Sequence, residues 1–308
     1  DLLRLSSENK MAFSREELTY NVTSLYFTLI AQKKVIESLD SSYKSLSEEA
    51  NRIQQMIAAQ KAAKVDLLRA QVRVADVKQR RIAEQNSYVT TRLALINLMG
   101  IALPENMLVL AETLQIPSEA EHASPPSLET ILRNRQDYKS AENAVIAQEK
   151  LVSVAQGGFS PEIYVKGSYG HRRSVGSTVA SPADKQGELG NVGVFFELPL
   201  FTGGSTLAKV REEKAKLQAA KQRLERLRKQ IDLEVQTAFL SIHAASARIE
   251  SARTALEQAE ESFRIERMKY ELGKGTIIDT LDAEASLLQA NVTYYRALAD
   301  YHIAVAKL

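Results

Sequence analysis

The 308-residue chain has no cysteine, which excludes disulfides and thiolate-held metal centres and leaves the compartment unmarked by cysteine usage. It has no tryptophan, and aromatic residues make up only 6%, a thin supply for a large globular core. Neither sign of charge dominates: 40 basic residues stand against 38 acidic ones, so nothing calls for a nucleic-acid partner. No apolar run approaches the ~20 residues of a membrane-spanning helix. The four histidines, at 122, 171, 243 and 302, have no ligand spacing, so no metal site is expected. No Ser/His/Asp arrangement or glycine-rich phosphate loop appears, so no catalytic residue and no cofactor is expected, and the chain reads as something other than an enzyme. Proline is missing before Pro104 and after Pro199, and glycine is missing from 1–99 and from 205–272.

Those last absences matter most. Proline disfavours a helix interior by about 3 kcal/mol and glycine by about 1 kcal/mol, so stretches without either are free to run as long helices. What fills them is Ala, Leu, Glu, Gln, Lys and Arg, the composition of coiled coils. The segment 205–272 is long enough for one helix of roughly 100 Å. Val210, Leu217, Leu224, Ile231 and Ala238 fall seven apart along it. From Val235 a second stripe is expected to take over, through Ile242, Ile249, Leu256, Phe263 and Tyr270. Such spacing makes a packing seam, and the change of stripe predicts that the buried face rotates near residue 235.

The chain also repeats itself. An offset of 213 places Val22 on Val235 and runs without a gap for some seventy residues. Asp66, Leu68 and Ala70 then meet Asp279, Leu281 and Ala283, and Tyr88 meets Tyr301. In the second copy Gly273-Lys274-Gly275 interrupts the helix and Thr276 restarts it, a tight helix–turn–helix. The register infers the same turn at Gln60-Lys61-Ala62. Each copy is thus expected to be an antiparallel hairpin with unequal arms.

Between the copies, residues 101–126 read as a linker. A helix is expected from about Ser127 to Ala155, and then the period changes. Ile163, Val165, Gly167 and Tyr169 alternate with Tyr164, Lys166 and Ser168, and Val192, Val194, Phe196 and Leu198 alternate with Gly193, Phe195 and Glu197. Two strands with a long polar loop, from about His171 to Gly190, make a β-hairpin. It could lie on the helices, or it could be a pair of transmembrane strands of ~10 residues, which would then need further strands to close a barrel. The expected fold class is mainly α with one β-hairpin, a twofold repeat of long coiled-coil helical hairpins. The first repeat is placed at 1–100 and the second at 127–308, with the hairpin at about 162–200 and long helices at 205–272 and 276–308. Because Asp1 pairs with Lys214, the counterpart of the first β-hairpin and the helix before it would precede residue 1. The expectation is a sequence cut from a longer protein.

Three segments carry a resemblance. Phe159-Ser-Pro-Glu-Ile-Tyr-Val-Lys-Gly-Ser-Tyr169, Pro199-Leu-Phe-Thr-Gly-Gly204 and Gly273-Lys-Gly-Thr-Ile-Ile-Asp-Thr-Leu-Asp-Ala283 resemble the TolC-like outer-membrane efflux proteins. Asn134-Arg-Gln-Asp-Tyr138 is similar to a further motif of that family, with Gln136 where proline is usual. The resemblance covers nearly the whole chain. It implies a homotrimer in which an outer-membrane β-barrel, set in outer-membrane lipid, continues into a periplasmic α-barrel. The implied activity is passive export with a periplasmic adaptor protein and an inner-membrane pump, in the outer membrane of a Gram-negative bacterium. By the same resemblance the turn Gly273, Lys274, Gly275 is the periplasmic tip. Asp279 and Asp282 match paired lumen aspartates, and Asp66 matches the aspartate of the first-repeat tip. Tyr270 matches a gate tyrosine, whose usual arginine partner is replaced here by Gly275.

From the residues alone, Asp279 and Asp282 are also acids favoured near a helix N-terminus, and Tyr270 continues an apolar stripe. The other class of function left open is a soluble periplasmic coiled-coil adaptor or scaffold.

Overall fold

A computed structural model describes residues 2–100, 111, 114, 127–172 and 187–307, and these described residues form six helices and two strands. They run α1 (Leu2–Ala58), α2 (Lys64–Met99), α3 (Leu128–Asn134), α4 (Gln136–Gly157), β1 (Glu162–Arg172), β2 (Gly187–Glu197), α5 (Ser205–Glu271) and α6 (Ile277–Lys307). Most of the expected linker at 101–126, and the centre of the expected β-hairpin loop, fall outside the described residues. Among those residues, no helix is long and apolar enough to cross a membrane.

α2 and α5 end where glycine reappears, at Gly100 and Gly273, and the repeat holds to the residue. Adding 213 to the end of α1 and the start of α2 gives the end of α5 and the start of α6. The chain divides into two compact units. One contains residues 1–10 and 132–229, the other 11–131 and 230–308.

In the first unit, β1 and β2 pair antiparallel from Glu162↔Glu197 to Arg172↔Gly187. Pairing therefore continues into what the sequence predicts as loop, at His171–Arg172 and at Gly187–Gly190. The register sets Ile163 opposite Phe196 and Val165 opposite Val194, and with Tyr169 and Val192 they share one face. These six side chains are between 65% and 82% exposed. Tyr164 and Phe195 stack on the other face, with Lys166, Ser168, Asn191 and the pair Glu162–Glu197 among its other residues. Leu198 is a correction, because it lies just beyond β2. The ladder stops at Glu162↔Glu197 because Pro161 has no N–H to offer a further rung. Elsewhere in this unit, Ser6 of α1 and Ser140 of α4 are buried and exchange hydrogen bonds between hydroxyls and carbonyls.

The single helix expected from Ser127 to Ala155 is two. Arg135 takes an extended backbone conformation and separates α3 from α4. Its guanidinium reaches forward to Asp137 through Nε at 3.0 Å and a second nitrogen at 2.7 Å, a bidentate pair that holds the break.

The second unit carries the main core. Val35, Leu39, Leu46 and Ile53 of α1 pack with Ala70 and Val77 of α2 and with Ile277, Leu281 and Leu288 of α6. A second cluster joins Ile242, Ala245, Ile249 and Ala252 of α5 to Ala297, Leu298 and Tyr301 of α6. The expected exchange of stripes on α5 is partly corrected. The stripe of Val210 does not stop at Ala238 but runs on through the buried Ala245 and Ala252. The residue beside it changes, from the half-buried Ala220 and Leu227 to the buried Ile242 and Ile249. Small residues on the continuing stripe let α6 approach closely.

Candidate functional site

The two helix–turn–helix tips share one backbone. In the first, Gln60 N–H donates to Ile57 O at 2.9 Å and Lys61 N–H to Met56 O at 2.8 Å. In the second, Gly273 N–H donates to Tyr270 O at 2.9 Å and Lys274 N–H to Lys269 O at 2.8 Å. Each pair is offset by 213, and together they form the paired closure of a helix C-terminus known as the Schellman motif. The residue at its pivot is left-handed in both, with φ +70 at Gly273 and +59 at Gln60. A non-glycine residue is strained in that region, so Gln60 holds by force what Gly273 adopts freely.

Beyond the pivots the turns differ. Gly275 adds a bond from its N–H to Lys269 O at 3.1 Å. A Cβ at 275 would sit 3.0 Å from Lys269 Cβ and 3.2 Å from Tyr270 N. This closure is therefore tight for a side chain at 275, and the gate arginine that the resemblance sets there would need the chain at Lys269–Tyr270 to give way slightly. Lys274 is exposed beside it.

α6 then opens on a reciprocal cap. The Thr276 hydroxyl and N–H donate to Asp279 Oδ2 at 2.7 and 3.3 Å, and Asp279 N–H donates to Thr276 Oγ1 at 3.3 Å. Those hydrogen bonds hold the Asp279 carboxyl below the usual carboxylate range. α2 starts on Ala63, which has no side chain to cap with, so Asp66 cannot form the equivalent box. Instead Arg69 lies 3.7 Å from Asp66.

Asp282 is exposed and faces α2, where Arg73 meets it at 2.6 Å. Arg69, Arg73 and Asp282 border an apolar groove made by Val65, Leu68, Val72 and Ile278. Tyr270 is half-buried against the main core. Its hydroxyl is pushed above the ordinary tyrosine range, first by burial and then by the negative charges of Glu49 and Asp66, with Arg52 opposing. Of the residues singled out in the sequence, then, the fold brings Tyr270 to Asp66 and sets Asp279 and Asp282 to separate tasks. Ile163, Val165, Tyr169, Val192, Val194 and Phe196 lie in the other unit and make a second candidate surface.

Two sets of polar groups escaped the sequence reading. Arg73 gave no local signal, since its partner is 209 residues away. Glu284 did give one: it stands between Leu281 and Leu288 on the inward stripe of α6 and is 6% exposed. Around it, Arg52 joins Glu49 at 3.0 Å and Glu271 at 3.7 Å, and Arg267 joins Glu271 at 3.3 Å. Among the described residues no group of three or more acidic or histidine side chains is placed to hold a metal ion.

Comparison with known proteins extends these observations. Residues 127–308 match the family described as outer membrane efflux protein. The outer membrane protein TolC of Vibrio cholerae is 22% identical over 305 residues, 98% of this chain and 69% of the relative. The cobalt-zinc-cadmium resistance protein CzcC of Cupriavidus metallidurans is 25% identical over 292 residues, 93% of this chain and 65% of the relative. These named relatives are outer-membrane and resistance proteins, not enzymes. Among solved structures, a membrane protein from Pseudomonas aeruginosa superposes with a TM-score of 0.88 at 20% identity, covering 100% of this chain and 70% of that one. The outer membrane protein VceC from Vibrio cholerae gives 0.81 at 20% identity, covering 100% and 72%. The chain shares their protomer fold and spans about two thirds of the length of the curated relatives.

Proposed function

Since the chain belongs to the outer membrane efflux protein family, we propose that it is the protomer of a passive exit duct in the outer membrane of a Gram-negative bacterium. Three copies close the structure. Their strands complete a β-barrel in lipid, and their long helices line a tunnel through the periplasm. An inner-membrane pump supplies the driving force, and a periplasmic adaptor joins pump to duct.

The observation that carries this reading is the β-hairpin. Its strands have 11 residues each, about the length that crosses a bilayer at a tilt. From Ile163 to Tyr169 and from Val192 to Phe196 one face is apolar and open, the pair His171–Glu188 lying at its far end. Each large apolar side chain on it would gain roughly 1.5–3 kcal/mol on leaving water. A soluble adaptor or scaffold would have to leave that face wet. A two-stranded sheet also has unpaired edges, which lipid does not tolerate, so the reading requires further strands from neighbouring copies or from chain outside the described residues.

At the tip, the turn Gly273, Lys274, Gly275 serves as the narrow end of the tunnel, with Tyr270 and Asp66 behind it. Asp279 and Asp282 supply threefold copies of negative charge, which favours cations at the constriction. The hairpin supplies the test. With Val165→Asp and Val194→Asp together, the full-length protein should no longer reach the detergent-extracted outer-membrane fraction, while Lys166→Asp on the opposite face should leave insertion intact. Equal insertion of the double variant and the parent would refute the reading.

A further inference from the structure

Glu284 is in an unusual place for a carboxylate. It lies on the core side of α6, one turn from Leu281 and one from Leu288, both of which belong to the main hydrophobic cluster. An ionised carboxylate there is strongly disfavoured unless it is fully paired. Its hydrogen-bonding neighbours are hydroxyls of α1: Ser42 Oγ lies 3.4 Å from Glu284 Oε1, and Ser45 also bonds to it. Two open cavities of about 280 and 420 Å³ meet at this side chain, giving water and protons a route to it.

The charged groups facing this place come from two helices. From α1 they are Lys34, Glu37, Lys44, Glu48, Glu49 and Arg52. From α5 they are Arg267, Tyr270 and Glu271. α2 brings Leu67, Ala70, Val74 and Val77 to the adjoining core, and of its charged groups Asp66 acts on Tyr270 and Arg73 pairs with Asp282. Glu49 is strained as well, with Oε1 buried and without a hydrogen-bond partner. Burial pushes the Glu49 carboxyl up, against the pull of Arg52 and Arg267.

We propose that Glu284 is a proton-operated latch on the packing of α6 against α1 and α5, about two helical turns in from the start of α6 after the turn at 273–275. Protonated, it is a neutral donor and acceptor among the serine hydroxyls, and α6 stays seated. Ionised, it is a charge in an apolar stripe beside Glu49, and the first three turns of α6 loosen.

Burial, opposed by the two serines and Arg267 and aided by Glu49, raises this carboxyl from 4.5 to about 7. A raised acid stabilises the packed form below its ordinary value, and that contribution is lost as pH climbs through the raised one. Acid therefore seats α6, and neutral to alkaline conditions free it. The consequence for the pore, a tip that is more mobile at higher pH, rests on the duct reading; the latch does not.

The test is hydrogen exchange of the full-length protein in detergent, corrected for intrinsic rates, with conduction left out so that the latch fails or stands apart from the duct. Between about pH 5.5 and about pH 8, protection of amides 277–288 should fall by up to roughly 30-fold. In Glu284→Gln, which keeps size and neutrality, protection should stay at the acid level across that range. A second variant, Ser42→Ala with Ser45→Ala, removes donors that favour the ionised form, so the midpoint should move to higher pH. Unchanged pH dependence in Glu284→Gln, or a midpoint unmoved in the serine variant, would overturn the latch.

Discussion

The turn at 59–63 and the turn at 272–276 are copies that share the same two closing hydrogen bonds at the pivot, yet they are held by different means. The second turn is held locally. It has Gly273 at the left-handed pivot, Gly275 under the preceding helix, and the Thr276–Asp279 cap. The first has Gln60 at the pivot and Ala63 where the cap should be, so local chemistry opposes it. What holds it is the core behind it. Ile53 is fully buried, where its counterpart in the second copy is the half-buried Glu266. A duplicated backbone can thus survive the loss of its turn signals in one copy when packing takes over their task.

That contrast can be broken from either side, and the largest effect should come from the core. Ile53→Ala should destabilise the first hairpin by about 2–5 kcal/mol, whereas Glu266→Ala at the matching position should stay within about 0.5 kcal/mol. Protection of α1 and α2 amides against hydrogen exchange reads the first, and that of α5 and α6 the second.

Next in size are the pivots. Gly273→Ala should cost about 1–2 kcal/mol, since an L side chain is strained at positive φ, and Gln60→Gly should be neutral or stabilising. Thermal unfolding of the two variants should move in opposite directions, or the first only downward.

The caps follow. Thr276→Ala should weaken the start of α6 by about 1 kcal/mol, and Ala63→Thr should strengthen the start of α2 by letting Asp66 complete a box of its own. The pH dependence has a definite sign. The Asp279 carboxyl is held low, so its cap contributes at and above the ordinary carboxylate range and is lost as pH falls through the lowered value. Fraying of α6 at strongly acid pH should therefore be absent from Thr276→Ala, in which the cap is already gone. Smallest is the exposed pair Arg73–Asp282, where Arg73→Ala should change stability by about 0.2–1 kcal/mol at low salt and less at high salt.

How much of this could be read from the sequence depends on range. The helix limits were legible because breakers mark them: the expected 205–272 became Ser205–Glu271, and the unmarked turn at Gln60 followed from the repeat register alone. The hairpin face was legible because a period of two assigns alternate residues to one side, whatever the partner. Its ends were not, since Gly187–Gly190 look like loop and still pair, and Leu198 looks like strand but follows the last rung. The break at Arg135 was hidden because neither proline nor glycine marks it; its cause is an ion pair two residues long. Arg73 and Glu284 show the deeper limit. Periodicity tells which face of a helix is buried, but not which helix it meets, so the partners of a charge on that face stay out of sight.

The most direct test of the duct itself is single-channel recording on the full-length, detergent-extracted protein after its mass in detergent has been measured. The account predicts a particle of three chains that adds discrete, cation-preferring conductance steps to a planar bilayer, with that preference weakened by Asp279→Ala together with Asp282→Ala. A chain that purifies without detergent as a monomer and leaves the bilayer silent would contradict it.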